Sequence, residues 1–478
     1  MRNPKRLIPF LLGLGLMVGL YLMPALPDTF DPDGQAVVLT HEGKAALGLF
    51  LLAGIWWVFE VIPMGATALT IGVVQSLWLI RDTRTALTDF MDPSVWFIYG
   101  SLLIGAAFVK TGLTRRLAYL MLTRLSERTS IIYLGAFTLT ASLTLFMAHT
   151  AVAAAVFPLL LVIHHLYEPT GRPTRFGKGL FIGMAWTAGA GSIITLLGAA
   201  RGAVAMGFFR ELTGQEITFF ELSRFMLPLG VVMLVILWGY VCLVFRPERD
   251  TVPGLRAKAG NLLADLGPVS RQEITTVVIV LGLVAVLSLR SFVPALEPFH
   301  KSAIILGATL LFFVLGILNI KDLENVPWNI VLLFGGAMSI GFCLWQTGAA
   351  KWMAIGWLNQ LHGAHWLVFV MGVAFLVLIM TNFILNVAAI AITLPVALVM
   401  APYIGVEPEV VMFAALAAAG MPFMLLVGAA PNAIAYESHM FRAREFFLWG
   451  IPASALLLVV LTLFVWKIWP WMGMPILL

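Results

Sequence analysis

From Leu7 onward the chain is one apolar run after another, and its longest polar interruption is RPERDTVPGLRAKAGNLLADLGPVSRQE, residues 246–273. Apolar runs of some 18 or more residues match the hydrocarbon thickness of a bilayer, where the backbone satisfies its own polar groups by forming helix. Charged residues fill 11% of the 478 positions, against about a quarter in a soluble domain. The sequence therefore reads as an all-α polytopic membrane protein. Its net charge of +5 calls for no nucleic-acid partner. Cys242 and Cys343 both lie in apolar segments with no second thiol nearby in the sequence, which speaks against CxxC metal or disulfide chemistry.

The amino-terminal MRNPKR and the apolar run 7–26 carry the charge pattern of a signal peptide. They lack a small-x-small cleavage site and introduce many further spans, so the run is read as a retained first helix with an external loop, 1–43. Two matching sets follow. The first, 44–245, has spans at 45–62, 64–80 and 94–123, an apolar pair at 131–163, a broken span at 179–210 and a last span at 223–245. After the linker 246–273, the second set, 274–478, has spans at 274–291, 301–318 and 328–358. A pair at 365–402, a broken span at 408–440 and a span at 446–470 complete it.

The sets resemble one another residue by residue. FMAHTAVAAAVFP (146–158) and FILNVAAIAITLP (383–395) share Phe, Pro and one polar residue at the fourth position, His149 or Asn386. IGAAFVKTG (104–112) matches IGFCLWQTG (340–348) at both ends, and LLGAARGAVA (196–205) matches LVGAAPNAIA (426–435) at six of ten positions. Thr144 and Thr381 each lie five residues before the polar position. Four matches in one order indicate internal duplication. If each apolar pair is a re-entrant hairpin, each set crosses the membrane five times and the copies are inverted. With the amino terminus inside and the carboxyl terminus outside, the internal segments carry 18 of the 29 lysines and arginines, as the positive-inside rule expects.

A helix interrupted within hydrocarbon must line a cavity or bury its break in protein. Four such interruptions are expected, at the hairpin tips near His149 and Asn386 and at the breaks near Gly198 and Gly428. Their N–H ends suit an anion and their C=O ends suit sodium.

These stretches, with WVFEVIPMGATAL (57–69) and DPSVWFIYGSLLIGAAFVKTGLTRRLA (92–118), resemble the divalent anion/sodium symporter family over nearly the whole chain. The resemblance implies eleven spans, a scaffold domain that dimerises and a transport domain that moves as an elevator. It also implies a small anionic substrate, such as a dicarboxylate or sulfate, with Na+ as coupling ion and no other cofactor. The family's second sodium site falls on Thr381, Ile384, Asn386 and Gly428. Its first falls on Thr144, Ala148, His149 and Gly198, where imidazole is a poor ligand for a hard cation and Arg201 would repel one. Substrate is expected at His149, Thr150, Arg201, Asn386, Val387 and Asn432, with Arg201 standing in for the first sodium as a fixed charge able to grip an anion bidentately.

The expected function is secondary active anion transport in the inner (plasma) membrane, sodium-coupled at the second site. The alternative is a sodium-independent or proton-coupled exchanger or uniporter that uses Arg201 and His149; an anion channel is a further rival. No core span contains Asp, and no Walker, GxSxG or HExxH pattern occurs, which argues against an enzyme. Glu60, in WVFEVIP, is read as pairing with a cation at a helix end, and Lys110 as snorkelling.

Overall fold

The apolar runs fold as helices, and where each begins is decided by what its first N–H groups meet. The computed structural model describes residues 4–30, 35–59, 61–358, 365–383 and 385–478. Ile384 and Glu60 lie outside the described residues. In chain order the helices are α1 (Pro4–Leu22), α2 (His41–Val58), α3 (Met64–Leu77), α4 (Thr83–Thr88), α5 (Pro93–Thr111) and α6 (Leu113–Arg124). Next come α7 (Thr129–Leu143), α8 (His149–Tyr167), α9 (Arg175–Gly191), α10 (Ala200–Thr213), α11 (Phe219–Val244) and α12 (Leu255–Asp265). The second set contains α13 (Arg271–Leu289), α14 (Lys301–Val314), α15 (Ile320–Glu324), α16 (Trp328–Gln346) and α17 (Ala349–Leu358). It closes with α18 (Trp366–Phe383), α19 (Asn386–Met400), α20 (Pro408–Gly420), α21 (Ala430–Tyr436) and α22 (Ala443–Leu463). Among the described residues, seven helical segments are long and apolar enough to cross a membrane, and six further apolar helices are of 10–17 residues.

Two expected spans are each divided. The runs 94–123 and 328–358 break at Gly112 and Gly348, which take left-handed φ of 79° and 75°. A left-handed residue ends a helix and turns the chain, and glycine adopts that conformation without strain. The KTG and QTG matches therefore mark helix ends, and α6 and α17 begin as separate helices. Within the loop after α1, Thr29–Phe30 pairs antiparallel with Ala36–Val37, a short hairpin that hydropathy does not reveal.

The two sets repeat one packing scheme with the partners exchanged. Within each set, α7 lies on α9 and α18 on α20. Across the sets, α3 packs on α16 and α14 on α5, while α8 leans on α21 and α19 on α10. The middle of the molecule is formed by α9 and α20. Every residue of α20 from Val410 to Gly420 is buried, as is every residue of α9 from Gly179 to Gly191. Glycine and alanine in both let neighbours approach closely, which stands in for the hydrophobic drive that lipid cannot supply.

Polar edges and interior differ in how helices start. At the edges, Thr40, Thr174, Thr218 and Ser270 each accept a first-turn N–H, the last two within full capping boxes. In the interior, α8, α10, α19 and α21 start after Ala148, Ala199, Leu385 and Ala429, none of which has a side chain able to cap.

Candidate functional site

Those four uncapped starts face one cavity. It has a volume of about 630 Å³ and is lined by Ala148, Ala199, Leu385 and Ala429 together with the first residues of the helices they precede. Its other wall comes from α5 and α16. The first N–H groups of a helix lack partners within it and carry partial positive charge. Converging four such ends without side-chain caps creates an anion-attracting concavity in an apolar setting.

The hairpin tips and the breaks are held together in matched ways. A Cβ at Gly198 would lie 2.6 Å from the Thr144 carbonyl oxygen, and one at Gly428 would lie 2.7 Å from that of Thr381. Each break thus presses on the carbonyl that precedes its own tip, and only glycine fits there. Thr195 Oγ1 donates to Leu145 O at 2.9 Å, tying the first break to the first tip. In the second set Asn382 does this work: its Oδ1 accepts from Met424 N at 2.8 Å and Leu425 N at 3.1 Å, and its Nδ2 donates to Leu378 O at 2.7 Å.

Asn382 was not among the expected residues. Its counterpart in the first set is Leu145, so the comparison of sets conceals it; the signal available was a second asparagine in MTNFILN, in mid-span. Asn382→Ala is expected to remove three hydrogen bonds, one of them fully buried, and lower stability by about 2–3 kcal/mol, read as a fall in thermal unfolding temperature with the sodium and anion concentrations fixed.

Of the expected substrate residues, His149, Thr150, Asn386 and Val387 line the cavity together. Arg201 and Asn432 do not. Asn432 is buried, with Nδ2 donating to Pro422 O at 2.8 Å and Leu425 O at 3.0 Å, so it braces the second break. Arg201 is 1% exposed. Its Nη2 donates to Ser192 Oγ at 2.7 Å, and that hydroxyl donates to Gly189 O at 2.8 Å. The guanidinium abuts Gly420, the last residue of α20, where a Cβ would come 2.8 Å from Nη2. A Cβ at Gly189 would in turn lie 2.7 Å from Gly420 O. The carboxyl ends of α9 and α20 therefore meet at Arg201, two negative dipole ends facing one cation.

The residues expected to hold sodium differ between the tips. Gly198 O accepts the His149 N–H at 2.9 Å and lies 3.2 Å from the ring Nδ1. Among the described residues no corresponding bond joins Asn386 to Gly428, and the Asn386 amide is left to the cavity. At the cavity's far end Lys110 pairs with Asp322, so its ammonium is held by a carboxylate.

A profile for the sodium:sulfate symporter transmembrane region matches residues 9–475. The chain belongs to this family. Sodium:sulfate symporters are transporters and not enzymes, and the several apolar helices fit a multi-pass membrane protein. The sodium-dependent dicarboxylate transporter SdcS of Staphylococcus aureus is 26% identical over 98% of this chain and 93% of its own length. Its namesake from Staphylococcus saprophyticus is 24% identical over 96% and 92%. Among solved structures, Neisseria gonorrhoeae MtrF, placed in a class of antimetabolite efflux pumps, superposes with a TM-score of 0.61 at 13% identity, over 100% of this chain and 97% of its own. The YdaH transporter of Alcanivorax borkumensis gives 0.56 at 14%, over 98% and 97%. At these identities the two structures speak to fold alone.

Proposed function

We propose that the chain is a sodium-coupled secondary transporter of a small anion, binding its substrate between the two tips and the two breaks. The carrying observation is the convergence of four uncapped helix starts on one cavity. Staphylococcal relatives named as sodium-dependent dicarboxylate transporters support both the anion and the ion. Substrate is met by His149, Thr150, Asn386, Val387 and the adjoining N–H groups.

One sodium binds, at the second tip. The Thr381 and Gly428 carbonyls and the Asn386 side chain are hard oxygen ligands; Ile384, the fourth expected position, lies outside the described residues. At the first tip the positions Thr144, Ala148, His149 and Gly198 take no ion, because His149 already occupies the Gly198 carbonyl and Arg201 supplies the charge. Asn432 supports the second break and acts on substrate through it.

The chain crosses the inner membrane eleven times, amino terminus cytoplasmic and carboxyl terminus external, as inverted repeats 44–245 and 274–478 joined by a cytoplasmic linker at 246–273. The exchanged packing of the two sets and the matched backbone at both tips support this topology. The hairpins 131–163 and 365–402 and the broken helices 179–210 and 408–440 form a transport domain that moves as an elevator against a scaffold, within a homodimer. The cavity reaches Lys110 and Asp322, which this topology puts toward the cytoplasm. In proteoliposomes, an inward sodium gradient is expected to drive anion accumulation that reverses when the gradient is reversed; saturable counterflow excludes a channel.

A second reading is favoured by His149. Donation from Nδ1 to Gly198 O leaves Nε2 as the free nitrogen, which meets an anion only when protonated. Proton-coupled exchange then predicts uptake that rises as pH falls, without sodium, and that loses this pH dependence in His149→Gln.

A further inference from the structure

The two sides of the cavity differ in chemistry, and the difference bears on the substrate. We infer that the transported anion carries one charged head group and an apolar body, a monocarboxylate or sulfonate with an aliphatic or aryl remainder, instead of charges at both ends. This rests on the anion-transport reading above.

At the helix starts the polar side chains are confined to His149, Thr150 and Asn386. Leu385 and Val387 flank Asn386 on the second tip, and Ala199, Ala200, Ala429 and Ala430 bring only methyl groups from the breaks. One carboxylate can be satisfied there by the helix-start N–H groups, the Thr150 hydroxyl and the Asn386 amide, the His149 ring already donating to Gly198 O; a second finds no further side-chain donor at the helix starts. The facing wall offers Ile98, Leu102, Leu333 and Phe334; Ser101 beside them spends its hydroxyl on Ile98 O at 2.8 Å, and Asn325, just before α16, is exposed. A charge placed against those four apolar residues would give up its hydration for no free donor, which is heavily disfavoured, whereas each methylene buried there improves binding roughly fourfold. Lys110 is the one cation lining the cavity among the described residues, and Asp322 neutralises it. Buried polar donors set strong discrimination only where they exist to be left unpaired. Here the wall rewards carbon and ignores charge.

The test is a thermal-shift titration of the purified full-length protein in sodium-containing buffer. The probes are butyrate, hexanoate, phenylacetate and succinate. Hexanoate is expected to bind roughly tenfold or more tightly than butyrate, from two added methylenes, and both hexanoate and phenylacetate more tightly than succinate. The double variant Leu385→Ser/Val387→Thr, which returns hydroxyls to the second tip, is expected to shift the preference toward succinate, read as the ratio of its succinate to hexanoate affinity against that of the unsubstituted protein. Tighter binding of succinate than of every monocarboxylate, with no change of preference in the double variant, overturns the inference and leaves anion transport standing. Failure of both classes to bind overturns the anion-transport reading as well.

Discussion

Arg201→Met is expected to reduce anion uptake up to roughly 30-fold and to lower the unfolding temperature, although the side chain does not line the cavity. The guanidinium sits where two helix carboxyl ends meet. A well-placed, partly buried cation at one such end gains up to about 2 kcal/mol, and 2 kcal/mol corresponds to a factor of about 30 in an equilibrium. Removing it leaves two negative ends opposed in a dry interior. The ammonium of Arg201→Lys restores the charge without the planar fork, so partial recovery of both uptake and stability is expected. Ser192→Ala removes only the hydroxyl between the guanidinium and Gly189 O and should cost about 1 kcal/mol. Full uptake and an unchanged unfolding temperature in Arg201→Met would show that the junction needs no cation. A steeper sodium dependence in the same variant would show that an ion takes the vacated place.

Gly428→Ala should abolish sodium-driven uptake, and Asn386→Ala should raise the sodium concentration for half-maximal uptake about tenfold or more. The two act at one place by different means. A methyl at residue 428 would lie 2.7 Å from the Thr381 carbonyl and 2.7 Å from Pro422 Cβ, so it displaces the very oxygen proposed to hold sodium. Asn386 lines the cavity and lends a side-chain oxygen, whose loss weakens the ion site without moving the backbone. Gly198→Ala, with 2.6 Å to the Thr144 carbonyl, distorts the other tip to the same degree. It is expected to lower maximal uptake with the half-maximal sodium concentration unchanged. Equal effects of Gly198→Ala and Asn386→Ala on that concentration would refute a single sodium placed at the second tip.

Much of the architecture was legible because the bilayer leaves a chain few choices. Apolar runs gave the helices, and a lone polar residue twice in the same frame gave both tips, with α8 starting at His149 and α19 at Asn386. Glycine in KTG and QTG was seen as a match but not as a helix end, since hydropathy is blind to a left-handed φ. At the site, residue type indicated polarity and not direction. Arg201 was expected to face substrate, but its helix turns it toward the ends of α9 and α20. Lys110, read as snorkelling, instead finds Asp322 some 200 residues further along the chain, a pairing that only tertiary structure could reveal.

The exchanged partnership between the halves carries a cost during synthesis. α8 is complete at Tyr167, but α21, on which it leans, ends at Tyr436. At about 5–20 residues per second of translation, the ribosome needs roughly 10–60 s to deliver it. Throughout that delay the newborn first half holds naked helix tips and a seam of small residues with nothing to lie against. The insertion machinery must shelter an unfinished half-protein until the second half arrives, so a nascent chain stalled between residues 246 and 400 should be a preferred target of membrane quality-control proteases.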